Sequence, residues 1–316
     1  MTAPVVIALV GATATGKSAV SLELAHLLGD DSLPGAEVIN ADSMQFYRGM
    51  DIGTAKLAPE ERRGVAHHEL DTLEVGEDAS VARFQADARR DIVAIHARGH
   101  RALVVGGSGL YLRALLDRFD FPGTDAAVRD RLERRAEDEG PGILHRELSV
   151  KDPEAAAKIH PRNAKRIVRA LEILELAGDY ASSLPRHEYF APAVTVALEV
   201  PYDVLDERIE ARVDGMWDQG LVDEVRRLSQ QGLRDGVTAR RAVGYAEVLR
   251  FLDGDIDEPE ARELVKRNTR RLARKQDRWF RPDPRVIWVD GPRDASDVER
   301  AARAVLDAVR TSEASA

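Results

Sequence analysis

The 316 residues contain no cysteine, which excludes disulfides and every thiolate metal site and fits a reducing compartment. Nothing approaches the run of about 20 apolar residues that a membrane-spanning helix requires. The apolar run near the start, VVIALV, has no basic flank and leads straight into a glycine-rich loop, so it does not read as a targeting signal. A cytoplasmic protein without membrane contact is expected. Aromatic residues make up only 5%, little support for a pure binding module that stacks single-stranded bases. The net charge of -9 argues against nucleic acid taken alone, yet a local basic face can bind phosphates on an acidic protein.

What is present is enough apolar material for real cores, 44%, over a length that suits about two domains. The most informative stretch is VVIALV followed by GATATGKS. It meets the pattern G-x-x-x-x-G-K-[ST] at Gly11, Gly16, Lys17 and Ser18, between a strand-like run and the helical run SAVSLELAHLL. Backbone amides from Gly11 through Ala12, Thr13, Ala14, Thr15 and Gly16 can close around anionic oxygens. The helix adds its positive end, Lys17 a point charge, and Ser18 a hydroxyl for Mg²⁺. Such a loop binds a di- or triphosphate, whatever then happens to it.

A second buried strand, Ala36 to Asn40, ends at Asp42 and Ser43, on the sheet edge where open α/β folds bind ligands. A turn or helix-capping aspartate is the alternative. His67 and His68 are neighbours in an extended segment and so face opposite ways, which makes them structural. Helical spacing of Val81, Phe84, Ala88, Ile92 and Ile95 precedes a strand at Ala102 to Val105. That strand ends in GGSGLY, without the magnesium-holding aspartate of many phosphate-loop NTPases. Gly106, Gly107 and Gly109 would let backbone approach a ligand, and Ser108 offers a hydroxyl; a plain strand-to-helix turn competes.

Between Phe121 and Pro185 the composition shifts to charge and alanine, with helical patterns in AAVRDRLERRAEDEG, EAAAKI and NAKRIVRALEILELAG. The last sets Arg162, Lys165, Arg166 and Arg169 on one side and Ile167, Leu171 and Leu174 on another. VTVALEV then returns the chain to the sheet, helices follow with Arg208 and Arg212 four apart, and RVIWV supplies a last strand. Residues 262–281 carry nine Lys or Arg against two acids. Val265, Leu272 and Trp279, seven apart, are expected to pack while the arginines form a cationic side. The tail TSEASA is expected to be disordered. The fold class is α/β: a P-loop NTPase-like parallel sheet core flanked by helices, with an all-helical insertion domain. The expected domains are 1–120, the insertion 121–190, and 191–316.

The ordered motifs GATATGKS, NADSMQFYRGMDIGTAK, LVVGGSGLYLRALL, KIHPRNAKRIVRALE, RRAVGYAE and TRRLARKQDRWFR make the chain resemble the tRNA dimethylallyltransferases, or tRNA isopentenyltransferases, over nearly its whole length. The resemblance implies transfer of a dimethylallyl group from dimethylallyl diphosphate to the exocyclic amine of the adenine following the anticodon, with Mg²⁺. The phosphate loop then holds a diphosphate leaving group. The amine is a poor nucleophile that calls for a base, and Asp42 is expected to serve as it; the resemblance implies that Ser108 bonds near the reacting amine and that Arg212 meets the diphosphate. tRNA contacts are expected from Asp42, Ser43, Met44 and Gln45, from Arg129, from Lys165, Arg166 and Arg169, and from Arg241 to Ala246, including Gly244 and Tyr245. The insertion would bind the anticodon stem-loop, and a monomer is expected.

Departures from the family pattern are Ala12 where proline is usual, Ser108 where threonine is commoner, Lys165 and Ala246 in place of Gln and Arg, and Asp277-Arg278 within the closing motif. They bear on single contacts. Relatives with a C-terminal zinc finger build it on cysteines, of which this sequence has none, so no zinc is expected. A small-molecule kinase using ATP is the rival for the loop and Asp42.

Overall fold

The computed structural model describes residues 5–30, 33–118, 123, 125–178 and 187–315. The first apolar run is β1 (Val6–Val10), buried throughout, and the glycine loop leads into α1 (Lys17–Leu27). Then come β2 (Ala36–Asn40), the short β3 (His67–His68), α2 (Val81–Ala97), β4 (Arg101–Gly106) and α3 (Gly109–Leu116). Four helices follow, α4 (Ala126–Asp138), α5 (Pro141–Lys151), α6 (Pro153–Lys158) and α7 (Ala164–Ala177). The chain resumes with β5 (Ala193–Glu199), α8 (Tyr202–Asp218), α9 (Leu221–Ser229), α10 (Tyr245–Leu252), α11 (Glu258–Phe280), β6 (Val286–Asp290) and α12 (Val298–Ala314).

The six strands form one sheet in the order β3-β2-β4-β1-β5-β6, and every pairing is parallel. Strands covered on both faces call for apolar side chains throughout, which is why β1 is an unbroken Val, Ile, Leu and Ala run and β5 breaks such a run only at Thr195, whose buried hydroxyl bonds Tyr189 at 2.8 Å, before ending at the exposed Glu199. One face packs Ala8, Val10, Ile39 and Val104 into a core with side chains of α2, α3 and α8 to α11. The other packs Ile7, Leu9, Val38 and Leu103 against α1 and α12. Val10 lies opposite Gly106, and Asn40 opposite Val105. The carboxyl ends of β1, β2 and β4 therefore finish level, and each runs into a loop of chemical interest.

The chain makes two compact units, Met1–Asp117 with Tyr189–Ala316, and Arg118–Glu188. The second has its own core of Leu132, Leu144, Leu148, Ile159, Ile167 and Leu171, contributed by α4 to α7. Within it α5 is a helix that the sequence patterns above did not single out. Gly140 with φ 85 ends the preceding helix and Pro141 starts the new one, and Leu144 and Leu148 are fully buried. The expected boundaries near Phe121 and Pro185 involve residues 119–122, 124 and 179–186, which lie outside the described residues.

Two expectations are corrected. The last helix runs on through Thr311–Ala314 rather than giving way to a disordered TSEASA tail, because Ala301, Ala302, Val305, Leu306 and Val309 are buried along it. In α11, Val265 is buried but Leu272 and Trp279 are each 37% exposed. Seven residues fall about 20° short of two full turns, so a strict period of seven drifts off the core. The residues that α11 buries are Ala261, Val265, Ala273, Gln276 and Phe280. Its cationic side is divided. Lys266, Arg270 and Arg274 pair with Asp214, Glu210 and Asp206 of α8 at 2.8, 2.8 and 2.7 Å, while Arg267, Arg271, Lys275 and Arg278 face outward.

Candidate active site

Four segments meet at the carboxyl edge of the sheet. The glycine loop leaves β1 at Gly11, whose φ of 140 is open to glycine alone. A Cβ there would stand 3.1 Å from the Leu198 carbonyl oxygen of β5. Ala14 holds φ 66, a left-handed conformation that a non-glycine residue keeps only when its surroundings impose it. The Arg208 guanidinium bonds the Ala14, Pro292 and Arg293 carbonyls at 3.3, 2.6 and 2.7 Å, so this arginine of α8 shapes the loop. Arg212, one turn on, points at the loop itself, 3.4 Å from the Thr13 hydroxyl.

Lys17 opens α1 and donates to the Ala12 carbonyl at 2.6 Å. Burial pushes its ammonium down to about 8, Asp42 pulling the other way and Arg212 adding to the fall. Burial also lowers the Arg212 guanidinium, with Arg208 contributing. Among the described residues neither cation has a carboxylate at ion-pair distance. Two cations drawn from water without a counter-ion, beside loop amides and a helix start, define an anion site.

Asp42 stands two residues beyond β2. Its amide bonds the Asn40 side chain at 3.0 Å, and its Oδ1 accepts from the Met44 amide at 3.0 Å. Asn40 in turn donates to the Glu69 carbonyl at 2.9 Å, which fixes the turn. Burial raises the Asp42 carboxyl above the ordinary aspartate range, while the Met44 amide and Lys17 oppose the rise. Ser108 caps α3, but its hydroxyl accepts from the Ser43 amide at 3.2 Å and lies 3.3 Å from the Ser43 hydroxyl. The segments after β2 and β4 are thus tied together beside Asp42.

Thr13, Lys17, Ser18, Asp42 and Arg212 line a cavity of about 420 Å³, whereas Ser43 and Ser108 are not part of its lining. Gln45, Thr54, Ala55, Lys56 and Leu57 continue the wall. Lys56 is neutralised by Asp51 and Asp71 at 2.8 and 2.6 Å, leaving Lys17 and Arg212 as the active positive charge. The Ser18 hydroxyl is exposed on the lining. Among the described residues no three His, Asp or Glu side chains gather to hold a metal. That donor set fits a Mg²⁺ held largely by phosphate oxygens and water with one protein hydroxyl, the habit of this small hard cation.

Several residues take different positions from those expected. The glycines of GGSG admit protein: a Cβ on Gly106 would meet the Ala41 backbone at 2.5 Å, on Gly107 the Gln276 side chain at 2.4 Å, and on Gly109 the Trp279 ring at 2.1 Å. Tyr245 is fully buried, with no side-chain surface to offer RNA in this structure. Its hydroxyl donates to Glu224 at 2.6 Å. The buried Glu224 carboxylate also accepts from the amides of Asp51, Ile52 and Gly53 at 3.1, 2.8 and 3.2 Å, and so holds the DIGTAK loop of the cavity wall. Gly244 bonds Glu247 through its amide at 2.8 Å, and Arg241 is exposed. In the Arg118–Glu188 unit, Lys165 and Arg166 are exposed, whereas Arg129 and Arg169 flank the buried Glu172 at 2.8 and 2.7 Å. Burial alone would raise that carboxyl; the two guanidinium bonds and the Asp125 amide outweigh it and lower it. Sequence reasoning missed Gln276 and Glu224. The Gln276 signal was available, a neutral polar residue falling in register with Ala273 and Phe280.

A phosphate-binding loop on a parallel, helix-covered sheet, with two cations and a buried carboxylate lining one cavity, is the site of a P-loop-type group-transfer enzyme. The sequence model of the IPP transferase family matches residues 45–283. The tRNA dimethylallyltransferase of Kineococcus radiotolerans is 57% identical over 302 residues, 95% of each chain. That of Thermobifida fusca is 57% identical over 298 residues, 94% of this chain and 92% of its own. Among solved structures, the tRNA isopentenylpyrophosphate transferase of Bacillus halodurans is 39% identical with a TM-score of 0.71, covering 98% of this chain and 97% of its own. A eukaryotic dimethylallyltransferase acting on tRNA reaches a TM-score of 0.84 at 27% identity, covering 99% and 80%. The chain belongs to the IPP transferase family, that of the tRNA dimethylallyltransferases.

Proposed function

We propose that this chain transfers the dimethylallyl group of dimethylallyl diphosphate to the exocyclic amino nitrogen of the adenine 3′ to the anticodon of a tRNA, releasing diphosphate. The observation that carries the reading is a pair of cations, Lys17 and Arg212, that have no ion-pair partner among the described residues and share the lining of one cavity with the phosphate loop and Asp42. In the reaction the allylic C–O bond breaks and its electron pair leaves with the diphosphate. Charge builds on the leaving oxygens where loop amides, Lys17 and Arg212 already stand, so stabilisation needs little reorganisation. Ser18 would hold Mg²⁺, whose chemistry is to neutralise part of that charge.

The amine lone pair forms the new N–C bond. It is delocalised into the adenine ring and nucleophilic only as its proton departs, which calls for a base. A carboxylate made more basic by burial suits the task, and among the described residues no hydrogen bond takes up the Asp42 Oδ2 while Oδ1 is held by Met44. Ser108, whose hydroxyl lies 3.3 Å from that of Ser43 next to Asp42 in the chain, would help to position the amine. The adenine must leave its stack to reach this depth. The exposed Lys165, Arg166 and Arg241 suit phosphate contacts, and Arg129 and Arg169, held by Glu172, suit a fixed one. Asp42 to Gln45 would meet the extruded base. Among the described residues no helix is long and apolar enough to cross a membrane; the absence of cysteine and the tRNA substrate favour the cytoplasm.

The test is product release. With unmodified tRNA, dimethylallyl diphosphate and Mg²⁺, one diphosphate should appear for each tRNA modified. Consumption of ATP with phosphate transfer instead would overturn the proposal in favour of a kinase.

A further inference from the structure

Gln276 lies on α11, 9% exposed, between the apolar positions Ala273 and Phe280. A buried amide is costly unless it is bonded, and this one reaches across 263 residues of sequence: its Oε1 accepts from the Thr13 amide at 2.8 Å. Its other end lies over Gly107, where a Cβ would come within 2.4 Å of Nε2, so the glycine is what admits it. The bond falls at the first bend of the phosphate loop. Thr13 carries the hydroxyl that meets Arg212 at 3.4 Å, and it precedes the left-handed Ala14. The Thr13 amide is therefore spent on Gln276, and the loop's shape at this point is set from outside the loop. The helix supplying it is clamped to α8, the helix of Arg212, through Asp206–Arg274, Glu210–Arg270 and Asp214–Lys266.

We infer that Gln276 is a positioning residue of the diphosphate loop: by holding the Thr13 amide it fixes the bend that aims Arg212 and the remaining loop donors at the leaving group. The residue type follows from the chemistry. Lys or Arg could not accept from an amide, Asn is one carbon shorter, and Glu would bring a negative charge beside a departing diphosphate. The inference rests on the reading of the loop as a diphosphate site.

Gln276→Met keeps the length and removes the acceptor. We expect it to raise the KM for dimethylallyl diphosphate and the Kd for inorganic diphosphate with Mg²⁺ about tenfold, leaving the KM for tRNA within about twofold. Gln276→Glu keeps the acceptor and adds charge, so its donor KM should be raised at low salt and recover as salt screens the repulsion. A folded Met variant with wild-type donor KM and kcat overturns the inference, as does a rise in tRNA KM equal to that for the donor, the mark of a merely structural role. Should the Met variant not fold, the Glu variant decides, and a donor KM insensitive to salt overturns the inference. Wild-type protein and Lys17→Ala are measured beside them. If both bind inorganic diphosphate equally, the diphosphate reading itself fails; if only Lys17→Ala loses it while the Gln276 variants do not, Gln276 alone is misassigned.

Discussion

The sharpest consequence of the site's electrostatics is a pH limb. Burial holds the Lys17 ammonium at about 8, well below the ordinary lysine value of 10.5. The charged form is the one that meets an anion, so about nine-tenths of the free enzyme is competent at pH 7 and about one-tenth at pH 9. kcat/KM for dimethylallyl diphosphate at saturating tRNA should be insensitive to this group below about pH 7. Above about pH 8 it should fall tenfold for each unit. Once the diphosphate is bound, its negative charge favours the ammonium. A contact of that kind at intermediate dielectric is worth on the order of 1–4 kcal/mol, so the alkaline limb of kcat should move to about 9–11. The assay is a pair of pH profiles, kcat/KM and kcat, from label transferred to tRNA. Lys17→Arg should abolish the limb, because a guanidinium does not titrate in this range, while lowering kcat through its different reach. A wild-type kcat/KM limb at or above about pH 10, or one that persists unchanged in Lys17→Arg, would refute the assignment of Lys17 as the titrating anion-binding group.

Asp42→Ala should cut turnover by about 10² or more while leaving tRNA affinity within about threefold, by single-turnover kinetics and filter binding; unchanged turnover removes it as the base. Because burial raises the Asp42 carboxyl, the acid limb of wild-type kcat/KM should lie above the ordinary aspartate range and vanish in that variant. Replacing the exposed Arg166 by Ala should reduce the slope of log tRNA affinity against log salt by about one, and an unchanged slope returns it to solvated surface. Glu37 is buried among Arg98, His68 and His100, with 2.7 Å contacts to each. The Arg98 bond, against burial and with both histidines, lowers its carboxyl from 4.5 to about 2. A depressed carboxylate adds stability above its unfolded value that is lost as pH falls towards the folded one. Glu37→Gln should therefore cost about 2 kcal/mol in urea unfolding at pH 7, discounted for the half-exposed Arg98, and almost nothing near pH 2; an equal cost at both would contradict the ionic origin.

The phosphate loop, five of the six strands and Asp42 at the sheet edge are readable in the chain, because each is written locally: an apolar run, a glycine spacing, a strand end; β3, only His67–His68, is too short to carry such a pattern. What escaped is what sequence separation hides. The bond from Gln276 to Thr13 spans 263 residues, and that from Glu224 to the Asp51 amide spans 173. The motif TRRLARKQDRWFR reads as one cationic side, but its arginines divide: Arg270 and Arg274 pair with α8, Arg281 pairs with Glu199 and Asp277, and Arg271 and Arg278 face out. Charge periodicity cannot separate these, since pairing depends on which helix lies alongside. RRAVGYAE illustrates the same limit, with Tyr245 packed inside on Gly53 rather than displayed. The helix α5 was missed because Gly-Pro reads as an ending, although proline also begins helices.

The most direct test is mass spectrometry of nuclease-digested, initially unmodified tRNA after incubation with this protein, dimethylallyl diphosphate and Mg²⁺. The expected result is one five-carbon unit gained on the adenine 3′ to the anticodon, present with wild-type protein and lost in Asp42→Ala and Lys17→Ala. An unmodified adenine with wild-type protein, or a phosphate gained from ATP in its place, would contradict it.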